Sequence, residues 1–258
     1  MKTKQWLQEN VKSIFTTSGS ENTSEKYTHI PTYKVVEDME LLGWEVEEAK
    51  EVKARKNVGF QKHLLIFRNP NVVINGKDGD TIQPQIILTN SSDGKNAFSF
   101  RAGMYRFICE NGLIIGENIV EPIKIRHMGY SFEDLRISIN SIIEKLPLTV
   151  ESMNKMKEIE LNETQLVEFA NKALTVRFTE EELKTYKVDI FNLLQPTRDA
   201  DSGNGLWEIF NVFQEKIIKG NFQYFNGKKY RKARPIKNFN QDLEVNSKLF
   251  DLALEYVS

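Results

Sequence analysis

The chain has 258 residues, 40% of them hydrophobic and 28% charged, which is ordinary for a globular protein long enough to form a sizeable core. The single cysteine, Cys109, excludes an internal disulfide framework and is typical of a reducing cytosol. No apolar run reaches the roughly 18 residues of a membrane span, and residues 1–15 lack the apolar core of a secretory signal, so we expect a soluble cytoplasmic protein without a membrane partner.

The net charge of −1 hides an uneven distribution of charge along the chain. Residues 216–241 contain eight Lys or Arg and no Asp or Glu, which leaves a net charge of −9 for the rest of the chain. A basic segment of this kind in an otherwise acidic chain indicates an anionic partner.

The first elements are predicted to be helical. Residues 3–15 carry apolar side chains at helical spacing and lead into a polar stretch, so we separate an N-terminal helix and linker, residues 1–26, from a single α+β domain, residues 27–258. The first helix is expected to dock either on the body of the protein or on another subunit. A second helix is predicted to start at Thr32, a good capping residue, and to end at Gly43.

Residues 86–128 predict the centre of the fold, an antiparallel β-meander. Two turn signals, at residues 92–95 and at the Asn-Gly pair 111–112, separate runs rich in β-branched and aromatic residues. Asn-Gly between apolar runs favours a type I′ hairpin turn, because both residues tolerate positive φ. With a strand predicted over residues 59–68, the β-rich part of the domain covers residues 27–130.

The second strand of this meander contains a change in its apolar pattern. Met104 continues the parity of the apolar residues before it, whereas Tyr105 begins the opposite parity. A β-bulge at Gly103 would explain the change and would bring Arg101 and Arg106 to the same face. Without a bulge, the two arginines lie on opposite faces.

From Ser131 onward, the apolar period changes from two to about 3.6, which indicates helices. A helix capped by Ser131 is predicted to end at Pro147. Further helices are predicted at about 149–160 and 163–175, from Thr179, after a loop at 196–204, and at about 244–256. Strands followed by helices predict the α+β class: an antiparallel β-meander (about 60–128) covered by helices, and a helical half over residues 131–258.

The basic segment is the first candidate site, because aromatic residues are interleaved with its cations. Lys and Arg match phosphates and aromatic faces match unpaired bases, so this composition suits single-stranded nucleic acid. The candidate contact residues are Lys228, Lys229, Tyr230, Arg231, Lys232 and Arg234. The alternative is a solvated basic hairpin whose aromatic residues pack against the body of the protein.

A second candidate is the set of cations on the predicted sheet. Arg101, Arg106 and Arg126 recur on neighbouring strands, and together they could line a groove for a phosphate backbone. Arg68, Lys95 and Lys124 are further members of this set. The alternative is an ordinary polar sheet face with local ion pairs.

A metal or hydrolytic site would have to draw on His63, His127, Cys109 and Asp93. None of them has a ligand-like local spacing, and no nucleotide-binding, serine-hydrolase or zinc-protease motif is present. We therefore predict no catalytic residues, no metal site and no cofactor. His127 shares the parity of apolar neighbours and is interpreted as a core histidine, and Cys109 as a small buried residue.

Several separate stretches together resemble one known family. They are KHL at 62–64, LTNSSDG at 88–94, GMYRFICENGL at 103–113, RHMG at 126–129, GLWEIFN at 205–211 and RKARPI at 231–236. In this order they are similar to the phage- and plasmid-related proteins grouped as a domain of unknown function, DUF932. The resemblance extends over about residues 29–255, and the combination is more specific than any single piece.

The resemblance implies a mobile-element context in a bacterial host cell, with genes that act on or alongside DNA, but it implies no established activity. Members of the family often carry a histidine at the position of Ser92. A role for that histidine as a base or ligand therefore cannot apply to this chain.

These observations predict a non-enzymatic, phage- or plasmid-type protein that binds single-stranded DNA in recombination, annealing or replication, as a homo-oligomer or as a monomer. The first alternative is an interaction protein that binds a host protein in an anti-defence or regulatory role, with the basic segment against an acidic surface. The second alternative is a metal-dependent nuclease that uses His63, His127 and acidic neighbours.

Overall fold

The structure is a computed structural model that describes residues 1–56, 58–75, 81–106, 111–114, 120–125 and 131–257. The chain forms two compact units. The first, which we call the sheet unit, contains the described residues of 1–75, 81–106 and 120–146. The second, the helical unit, contains residues 111–114 and 147–257.

The helices follow the chain in this order: α1 Lys4–Asn10, α2 Thr32–Leu41, α3 Phe132–Glu158, α4 Glu163–Arg177, α5 Glu180–Thr185, α6 Ile190–Leu193, α7 Leu206–Lys219 and α8 Phe239–Leu254. Short 3₁₀ turns lie at Lys12–Phe15 and Asp199–Asp201. Among the helices of the described ranges, none combines the length and apolar character needed to cross a membrane.

The sheet unit is built on antiparallel strands. They are β1 Glu45–Glu51, β2 His63–Arg68, β3 Ile74–Asn75, β4 Thr81–Asn90, β5 Phe98–Arg106 and β7 Ile123–Ile125. Four of them lie in the order β1-β2-β4-β5, while β3 pairs with β4 and β7 pairs with β5. An antiparallel sheet followed by a helical half confirms the predicted α+β class.

The two central strands follow the predicted alternation but not the predicted bulge. The pairing of β4 with β5 runs without interruption from Ile82 opposite Arg106 to Thr89 opposite Ser99, so of the two alternatives the structure shows the one without a bulge at Gly103. Ile86 and Ile87, which have opposite parity, are both buried. Apolar residues are therefore buried on both faces of the strand, so the apolar pattern can change from one face to the other without a bulge. Positions 101 and 106 consequently have opposite parity in β5.

One predicted turn is confirmed and the other is misplaced. Gly94 adopts a φ of +73°, and Asp93 Oδ1 accepts hydrogen bonds from Ser91 Oγ at 2.7 Å and from the Lys95 amide at 3.1 Å. The Asn-Gly pair 111–112 instead begins β6, Asn111–Ile114, and residues 107–110 before it lie outside the described residues. Asn and Gly tolerate positive φ without requiring it, so the pair can also begin a strand.

The N-terminal helix packs on its own chain. Leu7, Val11 and Ile14 are each at most 1% exposed, and Phe15 stacks on Tyr33 of α2 with ring centroids 4.6 Å apart. A hydrogen bond of 2.8 Å from the Lys2 amide to the Val46 carbonyl joins the chain start to β1. The sequence left open whether this helix packs on the body of its own chain or on another subunit, and the structure shows it packed on its own chain.

Helix α3 continues through Pro147 instead of ending there. Ser131 caps it as predicted, with its Oγ accepting from the Asp134 amide at 3.0 Å. Beyond the proline, the apolar positions Val150 and Met153 are also buried, so packing offsets the one backbone hydrogen bond that proline removes. The helix predicted near 149–160 is therefore the second half of α3.

Helices α4, α7 and α8 form the core of the helical unit. Phe213 of α7 meets Phe169 of α4 at 5.5 Å, and Phe210 of α7 meets Phe250 of α8 at 5.8 Å, both edge to face. Beside this core lies a second, three-stranded antiparallel sheet in the order β10-β9-β8. Its strands are β8 Lys187–Val188, β9 Gln223–Phe225 and β10 Tyr230–Lys232.

Candidate nucleic-acid interface

The basic segment folds into a hairpin made of β9 and β10. Tyr230 pairs with Phe225 and Lys232 with Gln223. In the connecting turn, Gly227 adopts a φ of +86°, and Asn226 Oδ1 accepts from the amides of the two following lysines at 3.1 and 3.0 Å. This Asn-Gly pair is the signal in the sequence that marks the hairpin, because it favours a turn between two aromatic-rich runs.

The hairpin presents most of the predicted cations to solvent. The exposed ones are Lys228, Lys229, Arg231, Lys232 and Arg234. Within the described ranges, none of these five has a carboxylate partner in an ion pair. Two other cations of the segment are engaged: Lys216 Nζ donates to the Asn192 carbonyl at 3.0 Å, and Lys219 pairs with Glu215 at 3.4 Å. The positive charge therefore concentrates on the hairpin and the residues just after it.

The aromatic residues of the segment divide into two groups. Phe222 is 3% exposed, and Tyr224 packs against Phe178 and Tyr186 with centroids 5.2 and 4.9 Å apart. The alternative prediction, in which the aromatics pack on the body, thus describes Phe222 and Tyr224. Tyr230, in contrast, is 73% exposed, and its ring contacts that of its cross-strand neighbour Phe225 with centroids 5.5 Å apart.

The base of the hairpin is fixed to α4 and α7. The Arg177 guanidinium, at the end of α4, donates to the backbone carbonyls of Ile217 and Arg234. Burial lowers the pKa of Arg177 from its ordinary value. The Ala233 amide also donates to the Phe222 carbonyl at 2.9 Å. The composition of the basic segment gave no indication of Arg177, because it lies far away in sequence.

Replacing Arg177 with alanine should lower the free energy of unfolding by about 2 kcal/mol, because the part-buried carbonyl of Ile217 and the exposed carbonyl of Arg234 both lose a charged donor. Arg177→Lys should recover less than half of this loss, since one ammonium cannot serve both carbonyls as the planar guanidinium does. Urea denaturation measures both variants. Arg136→Ala, which removes an exposed pair with Glu133 at 2.7 Å, is the control and should change stability by less than about 0.5 kcal/mol. A loss for Arg177→Ala as small as that of the control would contradict this role.

The predicted sheet arginines do not form a group that the structure describes as a whole. Arg101 lies in β5 and is partly exposed. Arg106 ends β5, but its side chain lies outside the described residues, as does all of Arg126. Arg68 pairs with Glu47 at 3.2 Å, which is the local ion pair given by the alternative interpretation. A phosphate groove that includes Arg101, Arg106 and Arg126 stays a prediction.

His63 belongs to a buried polar network at the end of β2. Its Nδ1 lies 3.0 Å from Ser13 Oγ and its Nε2 lies 2.8 Å from Thr32 Oγ1, which also accepts from the Asn90 amide at 2.9 Å. His63 pairs with Asn90 across β2 and β4, so two of the segments that carry the family resemblance meet here. Burial lowers the pKa of His63 to about 4. With both ring nitrogens engaged, the residue serves as a core histidine.

This network makes the stability of the protein dependent on pH. The folded state holds His63 neutral, with a pKa of about 4 against an ordinary 6.5, so the unfolded chain binds the extra proton between these values. Stability should be full well above pH 6.5 and fall on acidification, by about 1 kcal/mol at pH 5.5 and about 2–3 kcal/mol at pH 4.5. Urea midpoints at these pH values measure the fall.

His63→Gln is the control for this prediction. The variant should be less stable at every pH, because the network is disturbed, but its acid-induced loss should be smaller than that of the wild type. Equal acid-induced losses in both proteins would contradict the assignment to His63.

Among the remaining candidates for chemistry, the structure describes only Asp93. Asp93 holds the turn after β4, and both His127 and Cys109 lie outside the described residues. In the described part of the chain, no three His, Cys, Asp or Glu side chains come close enough to hold a metal ion. The hairpin therefore remains the best-defined candidate site.

Comparison with known proteins places the chain in a family. The model of the family called "Domain of unknown function (DUF932)" matches residues 21–250. Two proteins of Escherichia coli (strain K12), UPF0380 protein YfjQ and UPF0380 protein YafZ, are each 29% identical to it over 246 residues, which is 94% of this chain and 87% of each relative. No solved structure matches significantly. The chain belongs to the DUF932 family, as the resemblance of its separate stretches predicted.

Proposed function

We propose that the protein binds single-stranded DNA through the β9–β10 hairpin. The observation that carries the proposal is the set of exposed cations on the hairpin without carboxylate partners in the described chain, next to the exposed ring of Tyr230. Exposed cations that form no ion pair with a carboxylate of the protein can pair with phosphates. An exposed aromatic ring supplies a stacking surface, which every unpaired base can use.

The geometry favours a single strand over a duplex. In a duplex the base faces are stacked on one another, so Tyr230 would have no base to contact and only the phosphate contacts would remain. The hairpin is also fixed at its base by Arg177, so little conformational entropy is lost when a strand binds.

We propose further that this binding serves recombination, annealing or replication of a mobile element in the cytoplasm of a bacterial cell. The support is the resemblance to phage- and plasmid-related proteins together with the chemistry of the hairpin. Assembly into a homo-oligomer is a separate part of the proposal, and light scattering coupled to size-exclusion chromatography measures it.

Fluorescence anisotropy of labelled single- and double-stranded oligonucleotides of equal length tests the assignment. The single strand should bind more tightly, and Tyr230→Ala should weaken its binding about tenfold, because one base loses its stacking partner. Tyr230→Phe keeps the ring and should bind like the wild type. Equal binding of the duplex and the single strand, unaffected by Tyr230→Ala, would contradict single-strand recognition. No binding of either would favour the alternative, a host protein with an acidic surface.

A further inference from the structure

The two faces of the β9–β10 hairpin carry different chemistry. Alternate residues of a strand point to opposite faces, so Arg231 and its partner Tyr224 share one face, while Tyr230, Phe225 and Lys232 share the other. The first face borders a cleft that is also lined by Lys219 and Arg234. Its lining includes five Lys or Arg side chains and one carboxylate, Glu215, which pairs with Lys219, so its net positive charge suits phosphates.

A second cleft of about 740 Å³ lies on the other face of the hairpin. It is lined by the hairpin, by the adjoining strand β8 and by the connection from β8 into α6. The residues that matter for its chemistry are Lys187, Asp189, Asn192, Gln223, Phe225 and Tyr230. Its volume falls in the range of small-molecule sites, and all of its lining residues belong to the helical unit.

The lining of this second cleft does not suit a phosphate alone. Asp189 contributes a carboxylate, which repels phosphates, and Asn192 and Gln223 contribute neutral amides. The paired rings of Phe225 and Tyr230, 5.5 Å apart, add an aromatic surface. An aromatic surface beside amides and one carboxylate matches a planar base, which stacks on its face and hydrogen-bonds at its edge.

We propose that this cleft holds one unpaired nucleobase that carries an exocyclic amino group. The exposed Tyr230 ring stacks on the base, while the Phe225 ring, tilted 59° from that of Tyr230, packs beside it, and the Asp189 carboxylate accepts a hydrogen bond from the amino group of the base. One Asp189 oxygen already accepts from the Asn192 amide at 3.1 Å, and the carboxylate keeps acceptor capacity for the base. Lys187 and Lys232 lie beside the cleft for the flanking phosphates. This inference rests on the proposed single-stranded DNA binding and deepens it into a base preference.

A comparison of cytosine with thymine tests this site, because the two bases differ in the exocyclic group that Asp189 would contact. Cytosine presents an amino donor at the exocyclic position where thymine presents a carbonyl acceptor, so at that position a carboxylate accepts a hydrogen bond from cytosine and not from thymine. At equal length and salt, oligo(dC) should bind about tenfold more tightly than oligo(dT). Phosphate contacts are the same for both strands, so they cancel in this ratio.

The variant Asp189→Ser tests the role of the carboxylate while keeping the helix cap, because serine caps a helix as well as aspartate does. Anisotropy should show the oligo(dC) to oligo(dT) ratio falling to within about twofold of unity, even though both affinities rise from the lost negative charge. Glu180→Gln makes the same charge change on an exposed residue of α5, outside the cleft, and should keep the wild-type ratio.

Three outcomes would overturn the base site, and they are distinguishable from one another. Equal binding of oligo(dC) and oligo(dT) by the wild type, with a steep salt dependence, leaves the proposed function intact and removes only the base preference. A preference that survives in Asp189→Ser removes the role of this cleft. No binding of either strand at about 50 mM salt, or displacement of both by an equal charge of poly-glutamate, overturns the proposed function together with the site.

Discussion

Replacing Lys228, Lys229, Arg231 and Lys232 together with alanine should weaken single-stranded DNA binding about 100-fold at low salt. These four exposed cations have no carboxylate partner in the described chain, so each one is available for a phosphate. The loss should be the same for every sequence, because phosphate contacts carry no base information. Fluorescence anisotropy at about 50 mM salt measures it.

A matched variant separates the hairpin from net charge. Alanine replacements of four lysines outside the hairpin remove the same charge from the helical unit; they are Lys155, Lys172, Lys184 and Lys248. Each of these lysines already pairs with a glutamate at 2.6–3.2 Å. This control should change affinity by less than about threefold. Equal losses in the two variants, both shown to be folded by circular dichroism, would attribute binding to net charge and not to the hairpin.

Gly220→Ala should lower the free energy of unfolding by about 3 kcal/mol. Gly220 ends α7 with a φ of +72°, a conformation that residues with a Cβ adopt at a cost. A Cβ at this position would also overlap the carbonyl group of Arg234 and lie 2.7 Å from the Ala233 carbonyl oxygen. Both contacts are with backbone atoms, so the overlap can be removed only if the segment that follows β10 moves away from α7. Urea denaturation measures the loss.

Gly59→Ala is the control for Gly220→Ala. Gly59 has a comparable φ of +95°, but a Cβ there would make only an ordinary contact with Thr16 Oγ1 at 3.9 Å. Its substitution should therefore lower the free energy of unfolding by about 1 kcal/mol, which reflects the unfavourable backbone conformation alone. The difference between the two variants measures the close approach of α7 to the basic segment. Equal costs would show that this approach contributes nothing to stability.

Much of the sheet could be predicted because its signals are local. The turn at residues 92–95 and the alternation along β5 both follow from side chains a few positions apart. β1 was missed because four glutamates and a lysine mask the pattern of an edge strand, in which only Val46 and Ala49 are buried. The sequence left a bulge at Gly103 open, because the change of apolar pattern suggested one buried face; β4 has buried residues on both faces, which depends on tertiary packing.

The candidate site could be predicted in composition but not in detail. The charge imbalance located the basic segment, since local density of Lys and Arg is readable from the sequence. Which cations keep a partner depends only partly on local sequence: Lys219 pairs with Glu215 one helical turn before it, whereas Lys216 is held by the carbonyl of Asn192, 24 positions away. The anchor Arg177 and the close approach at Gly220 involve positions that are distant in sequence, so no local pattern indicates them.

The salt dependence of single-stranded DNA binding tests the central claim most directly. If the four exposed cations of the hairpin and Arg234 just after it each neutralise one phosphate, log K should fall against log salt with a slope of about −3.5, which is about a 100-fold loss of affinity between 50 and 200 mM salt. The variant without Lys228, Lys229, Arg231 and Lys232 should retain a slope of about −0.7 from Arg234. Absence of single-strand binding by the wild type at about 50 mM salt, or the same slope in both proteins, would contradict the account.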